Sequence, residues 1–204
     1  MYIPKNFLTV NQDEIVAFMK AYSFATIISA KANLPTATHL PFIISTREDK
    51  VILTSHFAKA NSHWEDLQDN ISLIIFTQPH AYISPGHYEN ELNVPTWNYI
   101  AVHAYGDTRL ITDEQNTFDV LEATINNYDA RYKAQWDNLP IDYRLKLARG
   151  IVAFEVTVTD LQAKKKLSQN KTEKERKNIV DSLSLSQDKN ERDIAEYMSK
   201  HLSD

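Results

Sequence analysis

A chain of 204 residues, 43% of them apolar, is long enough to bury one hydrophobic core with room for a small appendage. A formal net charge of −5 argues against a surface that holds nucleic acid non-specifically, and the absence of cysteine excludes disulfides, thiolate zinc sites and cysteine nucleophiles. Only three glycines occur, Gly86, Gly106 and Gly150, so there is neither a Rossmann fingerprint nor a P-loop, and any phosphate must be held by side chains.

In chain order, "TVNQDEIVAFMKAY" predicts the first helix. Thr9 with Gln12, or Asn11 with Glu14, supplies a capping box, and Ile15, Phe18, Met19 and Tyr22 share one face. Six segments rich in β-branched and aromatic residues follow as predicted strands: 24–31, 38–45, 50–56, 71–76, 97–111 and 151–159. The last alternates Val152, Phe154, Val156 and Val158 with smaller or polar residues, which predicts one buried and one wet face. Between the strands, 59–68 reads as a short helix and 113–128 as a longer one with Phe118, Leu121 and Ile125 in phase; "DYRLKLAR" ends at the helix stop Gly150. From 164 to 177 seven basic residues stand against two acidic ones, and a polar helical tail runs to Asp204. The pattern predicts an α+β protein: an antiparallel six-stranded barrel over 1–160, with peripheral helices, and a basic segment and C-terminal helices over 161–204 packed on the same domain. The longest apolar run, around Leu73–Phe76, is far short of the roughly 20 residues that span a bilayer. No signal peptide opens the chain, so a cytoplasmic protein without a membrane partner is expected.

Three stretches carry polar chemistry. Residues 80–106 gather His80, His87 and His103 with four tyrosines and Trp97. The histidine spacings of seven and sixteen match no compact metal motif, so hydrogen-bonding histidines are the better reading and no metal is expected. Ser84, His87 and Asp107 formally make a nucleophilic trio, but most chains of this length offer one. In "TSHFAKANSHW", residues 54–64, a strand releases a hydroxyl pair, His56, Lys59 and Asn61 at a predicted helix start, the company a phosphate dianion needs. A strand-to-helix turn with capping residues explains the same string. The basic run 164–177 suits a solvated helix face or contact with DNA phosphates, although no base-reading helix pattern accompanies it.

"MYIPKNF", "THLPF", "SHFAKAN", "PHAYISPGHY", "VPTWNYIAVHAYG", "GIVAFEV" and "KLSQNK" succeed one another between Met1 and about Leu183. In this order they resemble the PaiB-like FMN-binding negative transcriptional regulators. The resemblance implies an FMN-binding split barrel related to pyridoxamine-phosphate-oxidase-like flavoproteins, a homodimer with FMN between subunits, and control of protease and sporulation-type genes. Carried over by position, Ser55, His56, Lys59 and Asn61 match the segment that meets the FMN phosphate and ribityl chain. Thr38 and His39 match the strand along the isoalloxazine. Trp97 and Asn98 would close the pocket from the opposite protomer, and Gln169 and Asn170 from the C-terminal segment. One position departs: Lys171 stands where this resemblance leads one to expect arginine, keeping the charge without the bidentate fork.

The leading expectation is therefore a cytoplasmic, dimeric FMN-binding regulator that contacts DNA through 164–177 or acts through a protein partner. One alternative is an FMN-dependent oxidoreductase or tetrapyrrole-handling enzyme whose pocket is lined by His80, Tyr82, Tyr88, Trp97, Tyr99 and His103. Another is a barrel that serves as an interaction module without cofactor. Within 80–106, Tyr99, Ala101, His103 and Tyr105 should share one strand face and Ile100, Val102 and Ala104 the other.

Overall fold

The computed structural model describes residues 1–68 and 70–200; the end of the predicted tail, 201–204, lies outside the described residues. A two-residue strand, β1 (Leu8–Thr9), precedes the first helix, α1 (Gln12–Ala21). Asn11 Oδ1 accepts the Glu14 N–H at 3.1 Å and so caps the helix, one arm of the predicted Asn11–Glu14 box. Asp13 and Glu14 in the first turn and Lys20 in the last complement the helix dipole.

β2 (Phe24–Lys31) and β3 (Leu34–Pro41) form an antiparallel hairpin, with Lys31 opposite Leu34. Ala32 and Asn33 turn it with φ of 50° and 65°, the left-handed geometry that matches strand twist. The predicted strand 38–45 is divided: β3 ends at Pro41 and β4 (Ile43–Arg47) begins after Phe42. Pro41 has no N–H to give, the Phe42 N–H still reaches the Ser23 carbonyl at 2.9 Å, and from Ile43 the chain pairs with β5 instead of β2, so one predicted strand becomes two. A second hairpin joins β4 to β5 (Lys50–Ala58) through Glu48 and Asp49, with φ of 49° and 60°.

The remaining strands are long. β6 (Ile71–Ile83) runs on past Phe76, β7 (Thr96–Ile111) is close to prediction, and β8 (Ile151–Lys166) continues beyond residue 159. The predicted helix 59–68 is a 3-10 turn over Ser62–Asp66. Asp113 caps α2 (Glu114–Tyr128) by accepting from the Asn116 N–H at 2.8 Å. A short helix that the pattern did not anticipate, α3 (Lys133–Asn138), precedes α4 (Ile141–Arg149), which stops before Gly150 as expected. Thr172 and Glu175 make a reciprocal capping box for α5 (Glu173–Ser184), and α6 (Lys189–Lys200) completes the described chain.

Strand order is β3-β2-β6-β7-β8-β5-β4, with β1 paired to β8, so the sheet has eight strands among the described residues rather than six. The pairings β1–β8, β2–β3, β2–β6, β4–β5 and β5–β8 are all antiparallel. The described residues form two compact units, 1–15 with 77–102 and the chain from 162 onward, and 16–76 with 103–161. In the second unit the core is aromatic. Phe42 meets Phe76 and Phe154 edge-on, at 6.0 and 6.1 Å between centroids, and Phe57 stacks on Phe154 at 5.0 Å. In the first unit Ile83, Ile100, Val102, Leu167, Ile179, Leu183 and Ile194 are buried. The face pattern of β7 holds: Ile100, Val102 and Ala104 are buried while Tyr99, His103 and Tyr105 are half-buried; Ala101 is buried as well.

The basic segment differs most from expectation. Lys164, Lys165 and Lys166 close β8 instead of opening a helix, and the first two are each only 8% exposed. The Lys164 ammonium reaches the Tyr2 carbonyl at 3.3 Å and lies 5.1 Å from the Tyr99 ring centre; Lys165 pairs with Glu14. Lys166 donates to the Trp97 carbonyl at 2.9 Å. The run is therefore not one exposed basic helix, because three of its cations serve contacts inside the fold. No described helix is long and apolar enough to cross a membrane.

Candidate functional site

The six residues drawn from 38–61 all lie in the second unit, but they do not converge on one point. β3 alternates, so Thr38 and His39 face opposite ways. His39 is exposed; its Nδ1 shares a 2.8 Å hydrogen bond with Thr26 Oγ1 directly across the hairpin, and its ring stacks on Phe24. On β5, Ser55 points into the core, where its hydroxyl donates to the Pro41 carbonyl at 2.7 Å; it joins no open donor set. His56 is on the opposite face, half-buried, and burial holds its imidazole below the ordinary 6.5.

Lys59 and Asn61 sit in the connection after β5. The Lys59 N–H donates to the Gly150 carbonyl at 2.8 Å and its own carbonyl accepts from the Trp64 indole at 3.3 Å, which anchors the backbone and leaves the side chain exposed. Among the described residues no group accepts a hydrogen bond from the Lys59 ammonium. Lys59 and Trp64 line a cleft of about 390 Å³ together with Leu110, Ile111, Arg149 and Val152. Glu114, which also lines the cleft, is bonded by Arg149 Nε at 2.7 Å, so Lys59 is the unmatched charge among its described lining residues.

Asn61 and Thr38 are brought together by a residue that sequence reasoning did not single out. His63 is 2% exposed, and its ring lies 2.8 Å from Thr38 Oγ1 through Nδ1 and 3.0 Å from Ser29 Oγ through Nε2. Asn61 Oδ1 accepts the His63 N–H at 3.1 Å, and Asn61 Nδ2 donates to Thr38 Oγ1 at 3.3 Å. The local signal available was the Asn-x-His spacing, in which an asparagine side chain caps the backbone two residues on. Nothing local marked the histidine's partners, which lie 25 and 34 positions away.

The other four residues lie in the first unit. Trp97 is 52% exposed, with His80 and Tyr82 edge-on to its ring at 5.7 and 5.8 Å. Asn98 is fully buried: its amide donates to Ser168 Oγ at 3.0 Å and to the Met198 sulfur at 3.4 Å. Gln169 closes its own turn, donating to the Lys165 carbonyl at 2.6 Å and accepting from the Leu167 N–H at 2.7 Å. Asn170 is exposed. The aromatics of 80–106 are likewise distributed: Tyr88 lies beneath Lys171, Tyr99 beneath Lys164, and His103 beside Tyr105 in the second unit. Among the described residues no three His, Asp or Glu side chains gather as they would around a metal ion.

A family model described as "Putative FMN-binding domain" matches residues 1–160. The protease synthase and sporulation protein PAI 2 of Bacillus subtilis is 36% identical over 206 positions, covering 99% of this chain and 98% of that one. The chain belongs to the PaiB family. An uncharacterized relative, YKL070W of Saccharomyces cerevisiae, is 27% identical over 68% of this chain and 96% of its own length. Two solved structures share the fold. The flavocytochrome Anf3 of Azotobacter vinelandii superposes with a TM-score of 0.62 at 15% identity, over 80% of this chain and 72% of that one. An FAD and heme binding protein of Mycobacterium smegmatis does so with a TM-score of 0.61 at 12% identity, over 78% of this chain and 73% of that one. The PaiB-family chain thus has the α+β split-barrel fold with C-terminal helices, eight strands in place of the six that its pattern suggested.

Proposed function

We propose that this chain binds FMN, works as a homodimer in the cytoplasm, and controls gene expression of the protease and sporulation type that the name of its Bacillus subtilis relative describes. The observation that carries the flavin reading is the Lys59 ammonium, which has no acceptor of its own and stands with Trp64 at a cleft of about 390 Å³. That volume is within the roughly 300–1,000 Å³ of small-molecule sites.

The residues present fit the group. A phosphate monoester needs a cation and short-range donors, and the connection after β5 brings the Lys59 ammonium to a cleft that Thr112 also lines. The Lys59 ammonium would bind the phosphate as a point charge. Arg149, already paired with Glu114, would line the cleft rather than add to the anion's binding. Bound FMN would supply a redox-active, planar ring. Trp64 and the apolar side chains of Leu110, Ile111 and Val152 would exclude water beside it. Because three lysines of 164–177 are engaged within the fold, action through a protein partner is favoured over direct contact with DNA.

The test is an FMN titration followed by flavin fluorescence, with Lys59→Ala beside the natural protein. A flavin spectrum and a loss of about tenfold or more in affinity for the variant are expected, the cost of removing a charged hydrogen-bond partner. Equal affinity in the variant removes the phosphate assignment, and no flavin uptake removes the cofactor. DNA retention that falls with salt, set against consumption of NAD(P)H, then separates regulator from enzyme.

A further inference from the structure

The connection after β5, which ends in the 3-10 turn Ser62–Asp66, faces two ways. Lys59 and Trp64 line the cleft, while His63, next to Trp64 in sequence, is turned inward and almost wholly buried. Its imidazole touches three strands. Nε2 meets Ser29 on β2, Nδ1 meets Thr38 on β3, and the ring edge packs on Phe57 of β5 at 5.4 Å between centroids. Ser29 is itself only 2% exposed, so this arm of the clamp is out of reach of solvent and of ligand.

The hydrogen-bond count closes for a neutral ring. A neutral imidazole offers one N–H and one acceptor nitrogen, and each hydroxyl offers one proton and two lone pairs. Thr38 Oγ1 accepts from Asn61 Nδ2; its own proton can then go to His63 Nδ1 while Nε2–H donates to Ser29. The opposite tautomer balances equally well. A second ring proton would instead place a charge in the core, and the Asp66 carboxylate that acts on this ring is already bonded to Lys31 at 2.8 Å. Neutral His63 therefore joins β2 and β3 to the turn, and it does so through Asn61 as well as through its own side chain.

We propose that His63 is the positioning residue of the phosphate-binding turn: without touching the ligand, it holds Lys59–Asn61 in register with β2 and β3. This rests on the FMN reading above. Its consequence is selective. The affinity for the phosphate ester depends on His63, and the affinity for the flavin ring does not.

The experiment compares FMN with riboflavin, which has the same ring and ribityl chain without the phosphate, by fluorescence titration of the full chain. For His63→Leu, FMN affinity is expected to fall about tenfold while riboflavin affinity stays within about twofold. His63→Asn and His63→Gln, which can each keep one arm of the clamp, should recover part of the loss. Ser29→Ala, remote from any ligand, should reproduce a weaker form of it and serves as the reporter if His63→Leu does not fold. Equal losses for FMN and riboflavin, or FMN affinity unchanged in folded variants, overturn the proposal alone. A natural protein that takes up neither flavin overturns the proposal together with the reading on which it rests.

Discussion

The Lys171 ammonium sits 3.8 Å from the centre of the Tyr88 ring and donates to Asn93 Oδ1 at 2.6 Å. The lysine that replaces an expected arginine is thus engaged with the loop between β6 and β7. α5 holds the same loop through Lys174 to Glu89 at 2.5 Å and Asn178 to the His87 carbonyl at 3.2 Å. Lys171→Ala is expected to destabilise the protein by about 1 kcal/mol, the scale of a partly buried cation–π contact. Lys171→Arg should keep most of that contact, because a guanidinium also stacks on an aromatic face. Urea unfolding of the three proteins checks both.

Asn98 and Ser168 form a buried pair whose members are far apart in sequence. Asn98→Ala leaves the Ser168 hydroxyl without its partner and should cost about 1–3 kcal/mol. Asn98→Leu should cost more, since the same hydroxyl is stranded and a branched side chain is forced into a filled site. A urea midpoint equal to that of the natural protein in both variants would refute a structural role for this amide.

Two small residues invite opposite substitutions. Ala32 holds φ at 50° in the β2–β3 turn, a strain that glycine relieves, so Ala32→Gly should stabilise by about 0.5–1 kcal/mol after the entropy of the freer residue is counted. At Gly106 an added Cβ would stand 2.3 Å from the Thr157 carbonyl oxygen and 2.8 Å from Val156 Cγ1. Because backbone cannot move aside as a flexible side chain can, Gly106→Ala should cost about 2–3 kcal/mol. Thermal melting points that move in opposite directions are the expected result.

Burial holds His56, His63 and His103 below the ordinary imidazole value of 6.5; for His63 the Asp66 carboxylate opposes this without reversing it. The unfolded chain therefore binds more protons than the folded one just below pH 6.5, and stability rises with pH across that window. It is full above 6.5 and is lost as the pH falls towards the folded values. Urea midpoints at pH 7.5 and 5.5 should show the decline, and His63→Gln should make it shallower. A midpoint independent of pH over this range would count against the buried, neutral histidines.

Local pattern was sufficient for much of this protein. The α+β class, the span 24–31, the long helix after Asp113 and the stop at Gly150 all follow from signals within a few neighbouring residues: alternation, capping and the poor helix propensity of glycine. Lys59 was legible for the same reason, as a cation emerging at the end of a strand. Local signals were silent where the deciding partner is distant. Lys164–Lys166 read as a solvated charge run, yet they end a strand because β1 pairs alongside and Tyr2, Glu14 and Trp97 receive their ammonium groups. His63 read as one polar residue among several, and only the approach of β2 and β3 gives its ring two hydroxyls. Asn98 and Ser55 turned inward for the same reason. A buried polar group must find a partner, and which partner the folded chain supplies is a property of its three-dimensional contacts, not of the residues beside it.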